Sequence, residues 1–514
     1  MAGNDSYDVA IVGYGPVGAG AAILLAHEGL RVAVVDRNEG VMDIPRAVGL
    51  DGEVVRAFQR IGLGERVAGV LQPYRDPDSI RFTDSKRTPL FGVDQGPTGM
   101  NGWRDIAFFD QPEFETLLRE FAADSPRIDS HLGQQVTALE QDENEVRLKV
   151  VDRKSGGERE IRAAYVLGCD GAASFVRESL GIEWESLGYD QDWLVVDIEL
   201  EPHAELTTIT MQVCDPARIT TYVCCKDPYR RWEFRLLPGE TAEEMEDPER
   251  VMALLDDWLP RDQYTLRRKA VYQFHAATAG KWQVGRVLLA GDAAHQTPPF
   301  LGQGLNAGFR DAINLGWKLP LVLRGEAASR LLDTYEAERD PHARDLVDWA
   351  VAVGRLMEHL AATEAGEEPP PPPDAQRSGY GQGRTIPPLR AGVLVAEQVR
   401  EDAIAGHVFR QPTVRAPDGT AVRLDELLGA GFAVVGRDSA ALEMSSASRA
   451  LLERLGANVV SLEGVKVVEG ELDSLFDAHP AALVRPDRYV FGASDDDLSL
   501  DEVIGRLPGL LALS

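Results

Sequence analysis

Three short glycine-containing stretches have the residue types and spacing to do chemistry. The first, GYGPVG, sets Gly13, Gly15 and Gly18 in the GxGxxG pattern between an apolar strand and an alanine-rich helix. In that pattern the first glycine permits a tight turn, the second lets the backbone approach a pyrophosphate, and the third lets helix and strand pack closely. The helix N-terminus then offers free N–H groups to the phosphates. Asp36 ends the next strand, where a carboxylate binds ribose hydroxyls, so the stretch predicts a dinucleotide site for either NAD or FAD.

The second and third stretches also join a strand end to a helix. In LGCDGAASFVRESLG, Asp170 follows a strand, although Asp-Gly alone is a common turn. In RVLLAGDAAHQTPPFLGQGLNAGFRDA, Gly291 and Asp292 end a strand, and a loop rich in proline and glycine leads into a helix that carries Asn306. Such a helix start could hold negative charge on a cofactor ring. The three dispersed motifs together predict a site that wraps a long dinucleotide.

The elements that must position these motifs follow from the pattern of apolar residues. Residues 7–37 read as a βαβ unit and residues 111–123 as a helix. Apolar and polar residues alternate over 190–275, which is typical of an antiparallel sheet with one solvated face. A long helical region is expected over 304–360. Five consecutive prolines, residues 369–373, mark a linker, because proline disrupts both helices and sheet interiors.

Composition excludes several classes of function. The chain has 514 residues, 44% hydrophobic and 26% charged, which predicts a globular protein of two or three domains. Its net charge of -30 repels phosphate backbones and anionic membranes, so nucleic-acid and membrane partners are not expected. The four cysteines form no CxxC pair, and neither a disulfide framework nor a metal site is expected. With no signal-peptide pattern and no apolar run near about 20 residues, the sequence predicts a cytoplasmic protein.

In this order and spacing, GxGxxG, DG and GDAAH–P–GQGLN resemble the class A flavoprotein monooxygenases, which are single-component FAD-dependent aromatic hydroxylases of the p-hydroxybenzoate hydroxylase fold. The resemblance covers about residues 5–360. Further strings, IPRAVGLDGEVVRAFQRIGL, RRWEFRLLPGET and LLDTYEAERDPHA, are similar to the 3-(3-hydroxyphenyl)propionate hydroxylase branch. In the tail, RLDELLG, GFAVVG and LVRPDRYV resemble the thioredoxin-like C-terminal domain of phenol hydroxylase relatives, here expected to be redox-silent because no cysteine follows Cys225.

The resemblance implies an α/β fold with an inserted second sheet. A Rossmann-like FAD-binding domain would carry an inserted, mainly antiparallel substrate-binding sheet, and a thioredoxin-like domain would follow it. The implied boundaries are 1–180 for the first part of the FAD-binding domain (with a substrate-domain excursion near 75–100), 181–279 for the substrate sheet, 280–363 for the second part of the FAD-binding domain and the helical region, 364–384 for the proline-rich linker, and 385–514 for the C-terminal domain.

The resemblance also implies residue roles toward FAD. The three glycines of the first motif would hold the pyrophosphate, Asp36 would bind the adenosine ribose, and the adjacent Arg37 is assigned to the cofactor as well. Arg46 and Gln111 match positions that line FAD near its phosphates. The second and third motifs supply the remaining assignments: Asp170 to FAD and NAD(P)H binding, Gly291 and Asp292 to the ribityl and pyrophosphate region, and Pro298, Gly302, Gly304, Leu305 and Asn306 to the isoalloxazine.

Catalytic candidates come from the predicted sheet and from the third motif. Tyr272 and His275 lie in VYQFHAATA, and their strand could face the substrate. Pro298 is assigned to the catalytic centre because its loop would lie against the flavin ring. His295 is expected to make a structural hydrogen bond near FAD rather than to act as a base.

Substrate candidates come from the sheet that would cover the ring. Tyr222, Trp232 and Phe234 are expected to line the pocket, although strand alternation allows only one face to do so. Arg231 or Arg235 could pair a carboxylated substrate, while a solvated face is the default for each.

The implied activity is that of an NAD(P)H-consuming monooxygenase of aromatic catabolism. It would hydroxylate a small phenolic, 3-hydroxyphenylpropionate-like substrate with O2 through a C4a-hydroperoxyflavin. Two alternatives stay open: a polyketide-tailoring or antibiotic-modifying flavin hydroxylase, and a non-catalytic FAD-fold binding protein. The sequence leaves open the phenol, the position hydroxylated, the choice between NADH and NADPH, and whether the chain forms a homodimer.

Overall fold

The computed structural model describes residues 6–75, 80–93, 98–372, 386–399, 404–416, 418–472 and 475–513. The strands are β1 (Ser6–Val12), β2 (Val32–Asp36), β3 (Gly49–Asp51), β4 (Ile80–Thr83), β5 (Pro89–Val93), β6 (Ile106–Phe108), β7 (Ile128–Leu132), β8 (Gln134–Gln141), β9 (Val146–Asp152), β10 (Glu158–Gly168), β11 (Trp184–Leu200), β12 (Thr210–Val213), β13 (Thr220–Val223), β14 (Tyr229–Arg235), β15 (Tyr264–Ala279), β16 (Gln283–Val284), β17 (Val287–Leu289), β18 (His295–Gln296), β19 (Thr413–Arg415), β20 (Ala421–Arg423), β21 (Ala433–Gly436), β22 (Asn458–Ser461), β23 (Lys466–Glu469), β24 (Ala481–Val484) and β25 (Val490–Ala493). The α-helices are α1 (Pro16–His27), α2 (Gly52–Gln59), α3 (Gly64–Gly69), α4 (Gln111–Ala123), α5 (Phe175–Ser179), α6 (Ala242–Met245), α7 (Pro248–Leu255), α8 (Gly304–Leu323), α9 (Asp333–Ala365), α10 (Asp425–Leu428), α11 (Ser446–Arg454), α12 (Leu475–Ala478), α13 (Leu500–Gly505) and α14 (Leu507–Leu510).

The first sheet contains the βαβ unit formed by β1, α1 and β2. Its strands run in the order β16-β17-β10-β1-β2-β7, and β9 and β8 continue the sheet from β10. β1 is parallel to both β2, the next strand in the chain, and β10, which comes much later. The strand order therefore reverses beside β1, and in open parallel sheets ligands bind in the crevice at the carboxyl ends of the strands at such a point. The glycine turn after β1 and Asp170 after β10 both lie at that crevice.

Helix α1 packs between the first sheet and α8. It is buried almost continuously from Pro16 to Ala26, so it lacks the polar face of a surface helix. A Cβ atom at Gly20 would stand 2.5 Å from the Phe309 ring on α8, so this close approach requires glycine. The packing holds the N-terminus of α1 at the crevice.

The second sheet is mainly antiparallel, with the order β18-β15-β11-β14-β13-β12-β4-β5. One of its faces packs against α6 and α7 around Met245 and Leu255. The other face lies toward α9, where Trp193, Phe300 and Trp349 belong to one buried cluster. Because successive side chains of a strand point to opposite faces, each strand divides its residues between these two environments.

The expected helical region over 304–360 consists of two helices, α8 and α9. The chain turns between them at Gly325, whose φ of 71° is in the left-handed region that favours glycine. After α9, residues 366–372 form neither helix nor strand. The rest of the predicted linker, residues 373–384, lies outside the described residues, and the predicted domain boundaries stay predictions.

The C-terminal residues form a sheet of order β22-β21-β24-β25 and a smaller one of order β20-β19-β23. β21 is parallel to β22 and antiparallel to β24, which is antiparallel to β25. This body packs on α8, where the rings of Trp317 and Phe432 meet edge to face with centroids 5.7 Å apart. Among the described helices, none is both long enough and apolar enough to cross a membrane.

A buried charge cluster also joins the two bodies. Glu338 of α9 pairs with Lys318 of α8 at 2.8 Å and with Arg485 after β24 at 2.7 Å, and all three side chains are buried. Arg485 also pairs with Asp487 at 2.6 Å. Together these two carboxylates offset the two buried cations, and removing either acid would leave positive charge without a partner.

We predict that Glu338→Ala lowers the free energy of unfolding by about 3–5 kcal/mol, because it leaves buried cations uncompensated. Denaturant unfolding of the full chain measures the loss. Glu326→Ala, at an exposed position in the turn after α8, is the control and should change stability by less than about 0.5 kcal/mol. Equal stability of the two variants would contradict the structural role of the cluster.

Candidate active site

A groove lies at the carboxyl ends of β1, β2 and β10. It brings together residues from three separate parts of the sequence. Of the residues predicted to bind a cofactor, those that line it are Gly13, Gly15, Asp36, Arg37, Arg46, Gln111 and Asp170.

The three glycines of the first motif have different reasons to be glycine. Gly13 has a φ of 100°, and a Cβ there would stand 2.3 Å from the carbonyl oxygen of Cys169. A Cβ at Gly18 would stand 2.1 Å from the carbonyl oxygen of Gly13. At Gly15 no described heavy atom comes within 4 Å of the Cβ position, so the space beside this residue is open groove. Gly13 and Gly18 thus serve packing, whereas Gly15 leaves room for a ligand.

The Asp36 carboxylate is fixed by the backbone and still has acceptor capacity. Its Oδ2 accepts the N–H of Tyr14 at 2.6 Å, and its Oδ1 accepts the N–H of Asn38 at 2.7 Å. Each ionised oxygen has a further lone pair for a ribose hydroxyl. Helix α1 follows its N-cap residue Gly15, which provides no side-chain cap, so the N–H groups of the first turn after Pro16 are available to bind an anion.

Helix α4 presents a row of polar side chains to the groove, of which the sequence reading found only the first. Gln111 accepts the N–H of Ala47 at 2.9 Å and so holds the segment that contains Arg46. Glu115 and Arg119 follow at i+4 and i+8, pair at 2.7 Å, and also line the groove. Burial raises the pKa of the Glu115 carboxyl, although Arg119 acts in the opposite direction. The helical spacing of the three residues is visible in the sequence and could have revealed them.

Asp170 anchors the turn after β10. Its carboxylate accepts the Ser174 hydroxyl at 2.5 Å and the Val176 N–H at 3.1 Å. Burial raises the pKa of the Asp170 carboxyl, while these hydrogen bonds oppose the shift. The carboxylate thus fixes the turn that forms one side of the groove.

The third motif forms a loop tied to β3. The Asn306 amide donates to the carbonyl oxygens of Gly49 and Gly302, and its Oδ1 accepts the Asp51 N–H at 2.9 Å. Gly302 has a φ of 62°, in the left-handed region. Pro298 is buried, and Gly304 and Leu305 begin α8. These contacts hold the loop over 298–304 in one position.

His295 and Gly291 share one buried carboxylate. His295 Nε2 lies 2.8 Å from Asp311 Oδ2, and the Gly291 N–H donates to the same oxygen at 3.0 Å. Arg339 donates to the other oxygen at 2.9 Å. The His295 side chain is buried in this cluster, which is the structural hydrogen bond expected for it. Asp292, by contrast, is exposed beside Gly291.

A second cavity, of about 130 Å³, lies between the second sheet and the loop of the third motif. The sheet provides Thr210, Gln212, Thr221, Val223, Arg231 and Glu233, and the loop provides Pro299, Phe300, Leu301 and Gly302. Ile80 of β4 is a further lining residue from this sheet, and the other walls come from Ala47, Val48, Gly49, Tyr74, Ile106, Phe108 and Trp349. Arg46 lines both this cavity and the groove, so the two spaces meet at that residue.

The expectation that Tyr222, Trp232 and Phe234 line the pocket is corrected by the sheet. All three are buried in the apolar cluster on the opposite face, with Trp258, and the rings of Tyr222 and Trp258 stack at 5.2 Å. Strand alternation explains the difference. On β14, Trp232 and Phe234 point to the apolar cluster, so Arg231 and Glu233 point to the opposite face and line the cavity.

Tyr272 and His275 also differ from their expected position. They lie on β15, which pairs with β11 and is separated from β13 by two strands. Tyr272 is 37% exposed and lies under the Arg268 guanidinium, and His275 Nδ1 is 2.5 Å from Asp190 at the surface. Neither belongs to the described residues that line the cavity. Their predicted catalytic role has no support in this geometry.

The two arginines considered for a substrate carboxylate already have partners. Arg231 Nε pairs with Asp197 at 2.7 Å, and its terminal nitrogens donate to the carbonyl oxygens of Pro45 and Arg46. Arg235 pairs with Glu358 at 2.9 Å. Arg231 is therefore buried rather than solvated, and its charge fixes the segment around Arg46.

The groove fits the adenine half of a dinucleotide. It combines open backbone beside Gly15, uncapped N–H groups at the start of α1, and a fixed carboxylate at Asp36, which suit a pyrophosphate and a ribose. Arg46 stands where the groove meets the second cavity.

Comparison with known proteins assigns the family. A family model described as FAD binding domain matches residues 6–350, and one described as HcaD C-terminal domain matches residues 406–508. The chain therefore belongs to the FAD-binding family of flavin-dependent aromatic hydroxylases.

Two relatives of the same name are similar to this chain over almost its whole length. The chain is 34% identical to a 3-(3-hydroxy-phenyl)propionate/3-hydroxycinnamic acid hydroxylase of Shigella sonnei (strain Ss046), over 99% of this chain and 96% of the relative. It is also 34% identical to the enzyme of that name from Escherichia coli O8 (strain IAI1), with the same coverage.

Solved structures are similar over the whole fold. Aklavinone-11 hydroxylase in a ternary complex with FAD and aklavinone has a TM-score of 0.80 and 25% identity, over 98% of this chain and 99% of that chain. The flavin-dependent monooxygenase PieE in complex with FAD and substrate has a TM-score of 0.81 at 23% identity, over the same shares, and shows the likeness of fold.

We predict that Gly15→Ala and Gly18→Ala have opposite effects. Gly15→Ala should cost less than about 1 kcal/mol of folding free energy, because its φ is -70° and the space is open, but should weaken FAD binding by more than about tenfold. Gly18→Ala should instead destabilise the fold by about 1–3 kcal/mol through overpacking. Flavin titration and denaturant unfolding measure the two effects.

Gly505→Ala is the matched control, because its Cβ position is also open and lies in the C-terminal body. It should change FAD affinity no more than experimental error. FAD affinity of Gly15→Ala equal to that of the wild type would contradict the placement of the pyrophosphate.

Proposed function

We propose that the protein is an NAD(P)H-consuming, FAD-dependent monooxygenase that hydroxylates a single-ring phenol of the 3-hydroxyphenylpropionate type with O2. The observation that carries the proposal is that the groove and the second cavity meet at Arg46, beside the loop over 298–304. This arrangement would bring a flavin ring and a substrate ring together.

FAD, when bound, supplies hydride uptake from NAD(P)H and activation of O2. The chain binds and orients it: the turn at Gly15 would receive the pyrophosphate, Asp36 the ribose, and the loop over 298–304 the ring. Asn306 keeps this loop against β3, so the ring would be held next to the cavity. A substrate ring packed against the apolar walls Ile106, Phe108 and Phe300 would displace water from this space, and a drier site protects a reactive intermediate from decay.

The size of the cavity supports a single-ring substrate. Its volume of about 130 Å³ is well below the ~300–1,000 Å³ typical of pockets for drug-sized ligands. The alternative, an antibiotic-tailoring hydroxylase with a polycyclic substrate, draws support from the likeness to aklavinone-11 hydroxylase. A panel containing both kinds of phenol separates the two proposals.

The orientation of the substrate follows from charge. Arg46 is exposed at the junction of the two spaces, and no ion pair joins it to another residue in the described part of the chain. We propose that a carboxylate substituent lies toward Arg46, while the ring hydroxyl lies toward β13 and β14. Arg231, whose guanidinium already pairs with Asp197, is not needed to bind the substrate carboxylate.

The C-terminal body is proposed to be thioredoxin-like and structural. Support comes from a sheet in which β21 is parallel to β22 and antiparallel to β24. With no cysteine after Cys225, thiol–disulfide chemistry has no residue to use there. The domain boundaries, the cytoplasmic location and a homodimer also remain proposals from the sequence.

We predict that the purified protein binds FAD noncovalently and that 3-hydroxyphenylpropionate accelerates its oxidation of NADH or NADPH. Substrate-dependent gating of flavin reduction gives the reason, since it prevents wasteful reaction with O2. Stopped-flow flavin reduction and product analysis by mass spectrometry make the measurement. The control compound is 3-phenylpropionate, which lacks the hydroxyl and should yield no hydroxylated product.

Two results would contradict this function. One is a protein that gains no flavin spectrum when FAD is added. The other is flavin reduction that is equally fast without any phenol of the panel, which would favour a simple flavin oxidase or reductase.

A further inference from the structure

Glu233 is a buried acid in the wall of the second cavity. Glu233 is only 4% exposed and lines the second cavity. No hydrogen bond or ion pair connects its carboxylate to another residue within the described ranges. A buried carboxylate without a partner costs several kcal/mol, so such groups are rare outside functional sites.

Among the described residues, the two that lie opposite Glu233 in the sheet, and Arg231 on its own strand, give its carboxylate no hydrogen bond. Thr221 is directly opposite Glu233 on β13, but its hydroxyl donates to Gln212 Oε1 at 2.6 Å. On the other side Glu233 is opposite Val195 of β11, which offers no side-chain donor. Arg231, two residues earlier on the same face, is held by Asp197 and by backbone carbonyls. Within the described part of the chain, the Glu233 carboxylate is therefore a free acceptor in this wall.

We propose that the Glu233 carboxylate accepts a hydrogen bond from the hydroxyl of the phenolic substrate and takes the hydroxyl proton during hydroxylation. In this step the phenol O–H bond breaks, an O–H bond forms on a Glu233 carboxylate oxygen, and the electron pair stays on the phenol oxygen. The ring becomes more electron-rich and is ready for oxygen transfer. The inference rests on the proposed function and names the residue that the substrate hydroxyl meets.

The charges around Glu233 suit this role. Burial raises the pKa of its carboxyl to about 7, with Asp197 acting in the same direction and Arg231 and Arg268 opposing it. An acceptor with a pKa near the working pH is efficient as a general base, since it is both available and basic. The acceptor form is the carboxylate, so the hydroxylation rate should rise as the pH rises through about 7.

Other polar groups of the cavity face the substrate from different walls. Arg46 lies at the junction with the groove, and Tyr74 lines the cavity from the segment before β4. With an acid in the sheet and a cation at the junction, the cavity favours a ring that carries a hydroxyl at one end and an anionic or neutral substituent at the other. A methyl ether in place of the hydroxyl has no proton to give and should not be a substrate.

The first experiment uses the holoenzyme with Glu233→Gln, which keeps the size and a hydrogen-bond acceptor but is not basic. We expect hydroxylation to slow by about 10²–10⁴-fold, the range for loss of a general base. The rise with pH near 7 should disappear. Fluorinated phenols, which are more acidic, should lose less rate than 3-hydroxyphenylpropionate itself.

The control is Glu243→Gln, at an exposed position of α6 on the opposite side of the sheet. It should keep both the rate and the pH profile of the wild type. A slowing in Glu233→Gln that is uniform across pH and across phenols would indicate a structural effect and would overturn the proposal. An unchanged rate and profile would overturn it as well.

The second experiment measures binding alone and does not depend on turnover. Calorimetry compares 3-hydroxyphenylpropionate with its methyl ether, in the wild-type holoenzyme and in Glu233→Leu. The wild type should prefer the phenol by about tenfold, equivalent to one hydrogen bond to a charged group. Glu233→Leu should lose this preference, and equal binding of both compounds to the wild type would overturn the proposal.

The two experiments distinguish failure of the proposal from failure of the proposed function. A wild type that hydroxylates phenols, together with an unaffected Glu233→Gln, removes the role of Glu233 and leaves the function in place. A wild type that hydroxylates no phenol removes the function. In that case the difference in affinity between 3-hydroxyphenylpropionate and its methyl ether still shows whether Glu233 accepts a hydrogen bond from the ligand hydroxyl.

Discussion

A buried guanidinium, that of Arg310, connects two segments that line the second cavity, β3 and the loop over 298–304, with the C-terminal body. It pairs with Asp51 at 2.6 Å and Glu53 at 2.7 Å, and it donates to Gln303 Oε1 at 2.9 Å in the loop over 298–304. Glu53 in turn accepts the Tyr489 hydroxyl from the C-terminal body at 3.1 Å. The position of the loop over 298–304 relative to β3 therefore depends on charges whose separation would cost several kcal/mol. The loop over 298–304, which lines the second cavity, is thus held by the same residues that join β3 to the C-terminal body.

The cofactor half of the site could be predicted from the sequence because its requirements are local. Gly13, Gly15 and Asp36 lie within one βαβ unit, and their spacing alone indicates a turn, an open backbone and a strand-end carboxylate. Helix α4 coincides with the stretch 111–123 that its pattern predicted. Where the sequence reading fell short in this half, as with Arg119, the helical spacing was present but was not used.

The substrate half could not be predicted in the same way. Which residues of a strand line the cavity depends on which face of the sheet is covered by another element. The strand RRWEFR alternates two sets of side chains, and both sets are buried. Sequence alternation separates Trp232 and Phe234 from Arg231 and Glu233, but it does not say which set meets the cavity. Apolar rings were the expected lining, whereas the structure packs them beneath α7 and leaves the charged set toward the loop. Arg231 is hydrogen-bonded to Asp197 and to the carbonyls of Pro45 and Arg46. These partners come from segments distant in the sequence, so no local sequence pattern predicts them.

The central claim is that the groove and the second cavity form one site in which a flavin ring and a phenol meet. A crystal structure of the protein with FAD and 3-hydroxyphenylpropionate, taken without reductant, tests it most directly. The account predicts the pyrophosphate beside Gly15, the flavin ring at the loop over 298–304, and the substrate hydroxyl about 2.6–3.2 Å from a Glu233 carboxylate oxygen. A substrate ring outside the second cavity, or a hydroxyl directed away from β14, would contradict it.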